Sequence, residues 1–157
     1  MVSSAGPVGR TAVLVCTVAV LSTLPVGAWW WRRSVDASRM PGWFVVYADV
    51  GVSTMLFTFE DRHLALYAAA LFAVIGTYIA YFSRRKVLKF HTAFVNAVIV
   101  ALALLALFEQ PDDPASILAR TLVTVLVVNS VLAFRAVIQR QLDLANTDSL
   151  TGLLNRR

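Results

Sequence analysis

Phe90-His91-Thr92-Ala93-Phe94-Val95-Asn96-Ala97-Val98-Ile99-Val100-Ala101-Leu102-Ala103-Leu104-Leu105-Ala106-Leu107-Phe108 contains no Asp, Glu, Lys or Arg. A hydrocarbon layer ~30 Å thick takes about 20 helical residues to cross, so this run is long enough to span a bilayer as one helix. Working outward with the same test gives further apolar runs at 11–31, 42–59, 64–82 and 117–134. The run 42–59 is the doubtful one. It carries Asp49 and two glycines, which leaves a re-entrant or surface course open. The run 117–134 carries Arg120 and Asn129, but its 122–128 centre is apolar apart from Thr124, and Arg120 lies near enough to one end to snorkel. The expected fold is all-α: a bundle of five transmembrane helices.

Composition agrees. Hydrophobic residues are 59% of 157 and charged residues 15%, far from the usual ~45–50% apolar content of a soluble domain. The formal charge of +5 sits in short blocks between apolar runs and forms no continuous basic face, which argues against a nucleic-acid partner and for the lipid bilayer. Cys16 is the single cysteine, so no internal disulfide or thiolate cluster is available, and it is expected to face lipid or to pack.

Loop charge gives a topology. If the C-terminal tail is cytoplasmic, five spans put Arg32, Arg33 and Arg39, then Arg84, Arg85, Lys86 and Lys89, then Arg135, Arg140, Arg156 and Arg157 inside, eleven of fourteen positive residues. Glu60, Asp61, Glu109, Asp112 and Asp113 fall in the two outer turns. Four spans would put Arg32, Arg33 and Arg39 outside, so the five-span arrangement with the N-terminus outside is expected. Trp29, Trp30, Trp31, Trp43 and Tyr81 then lie at inner span ends, at headgroup level. A competing reading treats 13–24 as a signal-peptide core cleaved near Val26-Gly27-Ala28. Residues 1–10 have the Ser, Gly and Pro content of a disordered end, and Pro25 followed by Gly27 should kink the first span.

The chain ends on Asp148-Ser149-Leu150-Thr151-Gly152-Leu153-Leu154-Asn155-Arg156-Arg157. This resembles the entry of a GGDEF domain, whose pattern D-x-L-T-G-L-x-N-R-R is matched at Asp148, Leu150, Thr151, Gly152, Leu153, Asn155, Arg156 and Arg157. The resemblance covers about one fifteenth of the chain. It implies a diguanylate cyclase of the bacterial cytoplasmic membrane, joining two GTP into cyclic di-GMP with magnesium in its catalytic domain. It assigns no catalytic, cofactor or metal role to the residues present, and the chain itself is expected to have no cyclase activity. A helix cap at Thr147 or Asp148 is the plainer alternative for the motif. For the chain as a whole, the alternative is a self-contained multi-span membrane protein, a transport or accessory subunit, with a chance match at its tail.

Two further expectations concern the interior and the linker. Asp49, Asn96 and Asn129 fall at one depth if helices start at the span boundaries, with Thr77, Tyr78 and Pro25 nearby, so a shared polar pocket with Asp49 held by both asparagines is expected. Plain interhelical hydrogen bonding is the commoner use of such residues and the preferred reading. His63 and His91 are assigned to opposite interfaces and cannot share a metal, and Arg120 is expected to meet Glu109, Asp112 or Asp113. Ala69 with Ala73 and Gly76 with Ala80 should let the third span approach a neighbour closely. Residues 135–147 have no breaker, so the fifth span should continue as a cytoplasmic linker helix. Its Ile138, Leu142 and Ala145 stripe is compatible with either a homodimer or a simple spacer.

Overall fold

The computed structural model describes residues 9–33, 42–83 and 85–146. The N-terminal residues 1–8, the 34–41 connection and the entire entry motif at 148–157 lie outside the described residues, as do the side chains of Trp30, Trp31, Leu142 and Ala145. The described chain is all-helical: α1 (Arg10–Arg33), α2 (Gly42–Thr58), α3 (Arg62–Ala68), α4 (Leu71–Phe82), α5 (Arg85–Glu109) and α6 (Pro114–Asn146).

Four stretches are long and apolar enough to cross a membrane: Arg10–Trp29, Arg62–Tyr81 (α3 and α4 taken together), Arg85–Glu109 and Pro114–Arg135. The fifth expected span, α2, is a shorter apolar helix of 17 residues. At ~1.5 Å per residue it covers roughly 26 Å, somewhat less than the ~30 Å layer. The outer surface is the strongest sign of a lipid environment. Val74, Leu118, Leu126 and Phe108 are all more than half exposed, Phe108 at 82%, and such a belt of apolar side chains would drive aggregation in water.

Two apolar clusters hold the bundle together. The larger joins Leu56, Leu66, Phe72, Ile99, Leu102 and Ile117 with their neighbours from α2 to α6. The smaller joins Val45, Ile79 and Leu88 near the ends of α2, α4 and α5. Helix α1 packs chiefly on α2, through a Trp29–Trp43 edge contact at 5.2 Å, a Cys16 Sγ–Thr58 Oγ1 contact at 3.1 Å and a Ser22–Tyr47 hydroxyl pair. Cys16 is therefore partly packed. Pro25 lies inside α1, which is assigned as one helix throughout.

The expected span 64–82 is not one helix. It breaks at Ala69 and Ala70, where the Ala70, Phe72 and Ala73 amides bond to carbonyls three residues back (Tyr67, Ala69 and Ala70) instead of four. The tightened step releases the Leu66 carbonyl from Ala70, and the Thr124 hydroxyl of α6 donates to it at 3.0 Å. A neighbouring hydroxyl is how an apolar bundle tolerates a broken helix without an orphaned backbone group.

Local sequence explains the turns before α3 and α6. The Asp61 carboxylate caps α3 by accepting from the His63 and Leu64 amides. Asp113 accepts from the Ser116 amide, and Pro114 takes the first helical position of α6, where its missing N–H costs nothing. From there α6 continues unbroken for 33 residues, through the expected span and into the segment read as a linker.

Candidate polar site in the bundle interior

Asp49 and His91 form the most buried polar contact among the described residues: Asp49 Oδ1 stands 2.8 Å from His91 Nδ1, with side chains only 2% and 1% exposed. Each sits on the buried stripe of its helix. On α2 the stripe is Val45, Asp49, Ser53 and Leu56, and on α5 it is Leu88, His91, Val95, Val98, Leu102 and Ala106. Steps of three and four place these residues on one helical face, so the packing that buries Val45 and Leu88 also carries Asp49 and His91 inward.

His91 is braced on three sides. Its Nε2 lies 3.3 Å from the Phe72 carbonyl, the Phe72 ring meets the imidazole edge-on at 6.4 Å, and Gly76 offers bare backbone where a Cβ would stand 3.1 Å from Nε2. A carbonyl can only accept, so the Phe72 contact requires the proton on Nε2. The Nδ1–Oδ1 contact likewise needs a hydrogen between its two atoms, since a bare ring nitrogen and a carboxylate oxygen are both acceptors. Their mutual hydrogen bond is what makes the burial of two ionisable groups tolerable. Asp49 Oδ2 is buried with no hydrogen-bond partner, while the Ser53 hydroxyl donates to the Asp49 backbone carbonyl at 2.7 Å.

Asn96 and Asn129 form a separate pair. Asn129 Nδ2 donates to Asn96 Oδ1 at 3.0 Å and Asn96 Nδ2 donates to Asn129 Oδ1 at 3.3 Å. Each amide also donates to the carbonyl four residues back in its own helix, Thr92 and Val125. This joins α5 to α6, where the Asp49–His91 pair joins α2 to α5 and leans on α4.

The expected three-residue pocket is thus corrected: Asp49 takes His91 as its partner, and the asparagines take each other. The reason is the start of α5. It begins at Arg85 and not near Phe90, which carries His91 a full turn and more into the helix. Asn96 then lies five residues beyond His91, roughly 7.5 Å higher and roughly 140° around the axis. His91 is accordingly buried, where the sequence assigned it to an interface. The clue was its place in the α5 stripe at three- and four-residue spacing, which outweighs nearness to a predicted span end. Thr77 is exposed and donates to Ala73 of its own helix, and Pro25 is exposed, so neither joins the pair.

The end of the bundle that holds Arg62 and Glu109 is arranged differently from expectation too. Glu109 is taken by Arg62, whose Nε stands 3.0 Å from Oε2, while Arg120 lies over the Tyr67 ring at 5.1 Å. Arg62 also donates to the Phe57 and Phe59 carbonyls, and His63 Nε2 meets the Gln110 side-chain carbonyl. Among the described residues no three His, Cys, Asp or Glu side chains stand close enough to hold a metal ion. No family model matches the chain, and neither a curated protein nor a solved structure matches it.

Proposed function

We propose that this chain is the membrane-embedded anchoring and regulatory region of a diguanylate cyclase-like signalling protein, its C-terminal residues being the entry to a GGDEF domain. The observation that carries the reading is the eight-position match at Asp148, Leu150, Thr151, Gly152, Leu153, Asn155, Arg156 and Arg157, placed two residues beyond the end of α6. The unbroken course of α6 supports it, since a rearrangement among the spans reaches the far end of a rigid helix without loss in an intervening loop. In this reading α2 crosses as the fifth span with slight local thinning of the bilayer, the N-terminus is outside, and the tail is cytoplasmic, where GTP is available. The Asp49–His91 pair is the part of the bundle best placed to respond to a signal, because it ties α2 to α5 with one carboxylate oxygen still unpartnered. A homodimer through the bundle and the end of α6 would bring two catalytic domains together.

Two measurements test this. Reporter fusions after Phe82, Phe108 and Arg157 are expected to place Phe82 and Arg157 inside and Phe108 outside. A chimaera in which residues 148–157 replace the matching entry of an active GGDEF domain is expected to form cyclic di-GMP in membranes, with output altered by Asp49→Asn. A reporter exported at Arg157, or a chimaera that folds and inserts but makes no product, would leave a self-contained membrane protein of another class as the better reading.

A further inference from the structure

We propose that the cleft between α4 and α6 at Arg135 binds the phosphate of an anionic phospholipid. Arg135 lies where the membrane-type stretch of α6 ends. Its Nη2 donates to the Ser83 carbonyl at the C-terminus of α4 at 3.1 Å, which fixes the guanidinium. The other two nitrogens, Nε and Nη1, are shielded and have no hydrogen-bond partner. Three N–H donors are therefore held in place with nothing to donate to, and both ion pairs among the described residues lie elsewhere.

Beside them is a cleft of about 220 Å³ walled by Ala80, Val131, Phe134 and Ile138, with the exposed rings of Tyr81 and Phe134 on its lipid-facing side. One cationic group on a wall that is mostly apolar, with the Thr77 and Tyr81 hydroxyls its other polar groups, suits an amphiphile: a phosphodiester at the guanidinium and an acyl chain along the aliphatic side. Charge selects among lipids. Arg85, Lys86 and Lys89 open α5 just after Ser83 and are exposed, so the field at this end of the bundle favours an anionic headgroup over a zwitterionic one. The site joins the C-terminal end of α4 to the last membrane-level turn of α6, so its occupant would brace the helix that leaves the bundle. This inference requires a membrane location and does not depend on the cyclase reading.

The test is native mass spectrometry of the chain released from mixed micelles containing phosphatidylcholine and phosphatidylglycerol in equal amounts. The chain is expected to retain phosphatidylglycerol preferentially, and Arg135→Gln to reduce that retention by about tenfold, with Arg135→Lys between the two. Thr77→Phe, at an exposed position lining the cleft, leaves Arg135 in place and is expected to expel the lipid by filling its space, with helix content by circular dichroism unchanged. Equal retention of both lipids, or equal phosphatidylglycerol on Arg135→Gln and the parent chain, overturns the proposal. Displacement of the lipid by excess inorganic phosphate overturns its lipid part, assigning the site to a free anion.

Discussion

Asp49 on α2 and His91 on α5 meet Oδ1 to Nδ1 across 2.8 Å, and both side chains are sealed from solvent. Removing one partner strands the other, which in a buried ion pair costs about 3–5 kcal/mol. His91→Leu and Asp49→Leu are each expected to destabilise the bundle strongly in mixed-micelle unfolding. The double substitution should lose less than the sum of the two, with a coupling of roughly 2 kcal/mol. Additive losses would mean that the two side chains act independently.

Gly76 matters for the same pair. A Cβ there would lie 3.1 Å from His91 Nε2 and 3.6 Å from a Val131 methyl. Since Nε2 is held against the Phe72 carbonyl, the ring cannot retreat without giving up that contact. Gly76→Ala is expected to cost about 1–2 kcal/mol, and the cost should largely vanish in a His91→Ala background where the space is open. A cost that persists in that background would place the strain at Val131.

Thr124 closes the backbone defect between α3 and α4. Thr124→Val keeps the shape and removes the donor, leaving the Leu66 carbonyl unsatisfied at a cost of about 1–3 kcal/mol. Thr124→Ser retains the hydroxyl and is expected to behave nearly like the parent. Unfolding midpoints of the two variants should therefore separate, and identical midpoints would show that the carbonyl finds another donor.

Arg62 and Glu109 are unequal partners. The ion pair itself is partly exposed and worth about 1 kcal/mol or less, diminishing with salt. Arg62 additionally satisfies the Phe57 and Phe59 carbonyls, where α2 gives way to the turn before α3. Arg62→Ala is thus expected to destabilise clearly more than Glu109→Ala, and at high ionic strength the Glu109→Ala loss should fade while most of the Arg62→Ala loss persists. Matching losses in low salt would reduce Arg62 to its ion pair.

Much of the fold was legible in the sequence, because runs without charge leave few alternatives to a membrane-type helix. The helices cover the runs at 11–31, 90–108 and 117–134 and all but Phe59 of 42–59, the last helix continuing past Phe134 as the absence of a breaker implied. The break at Ala69 was not legible, since alanine is the best helix former and no glycine or proline marks the site. It depends on Thr124, 58 residues away, accepting the task of satisfying Leu66. The polar site was half legible. Asn96 and Asn129 meet as neighbours across α5 and α6, but the partner of Asp49 was hidden because depth was counted from the apolar boundary and the helix starts earlier, among the Arg and Lys residues before it.

Helix α6 is a rod of roughly 50 Å, far longer than a bilayer core is thick. Asn129 fastens it to α5 near its middle and Arg135 fastens it to the end of α4, leaving 11 residues, roughly 16 Å, of lever arm to Asn146. A tilt of about 10° at that pivot would sweep the distal tip through roughly 3 Å, from an adjustment of about 1 Å per turn at the fulcrum.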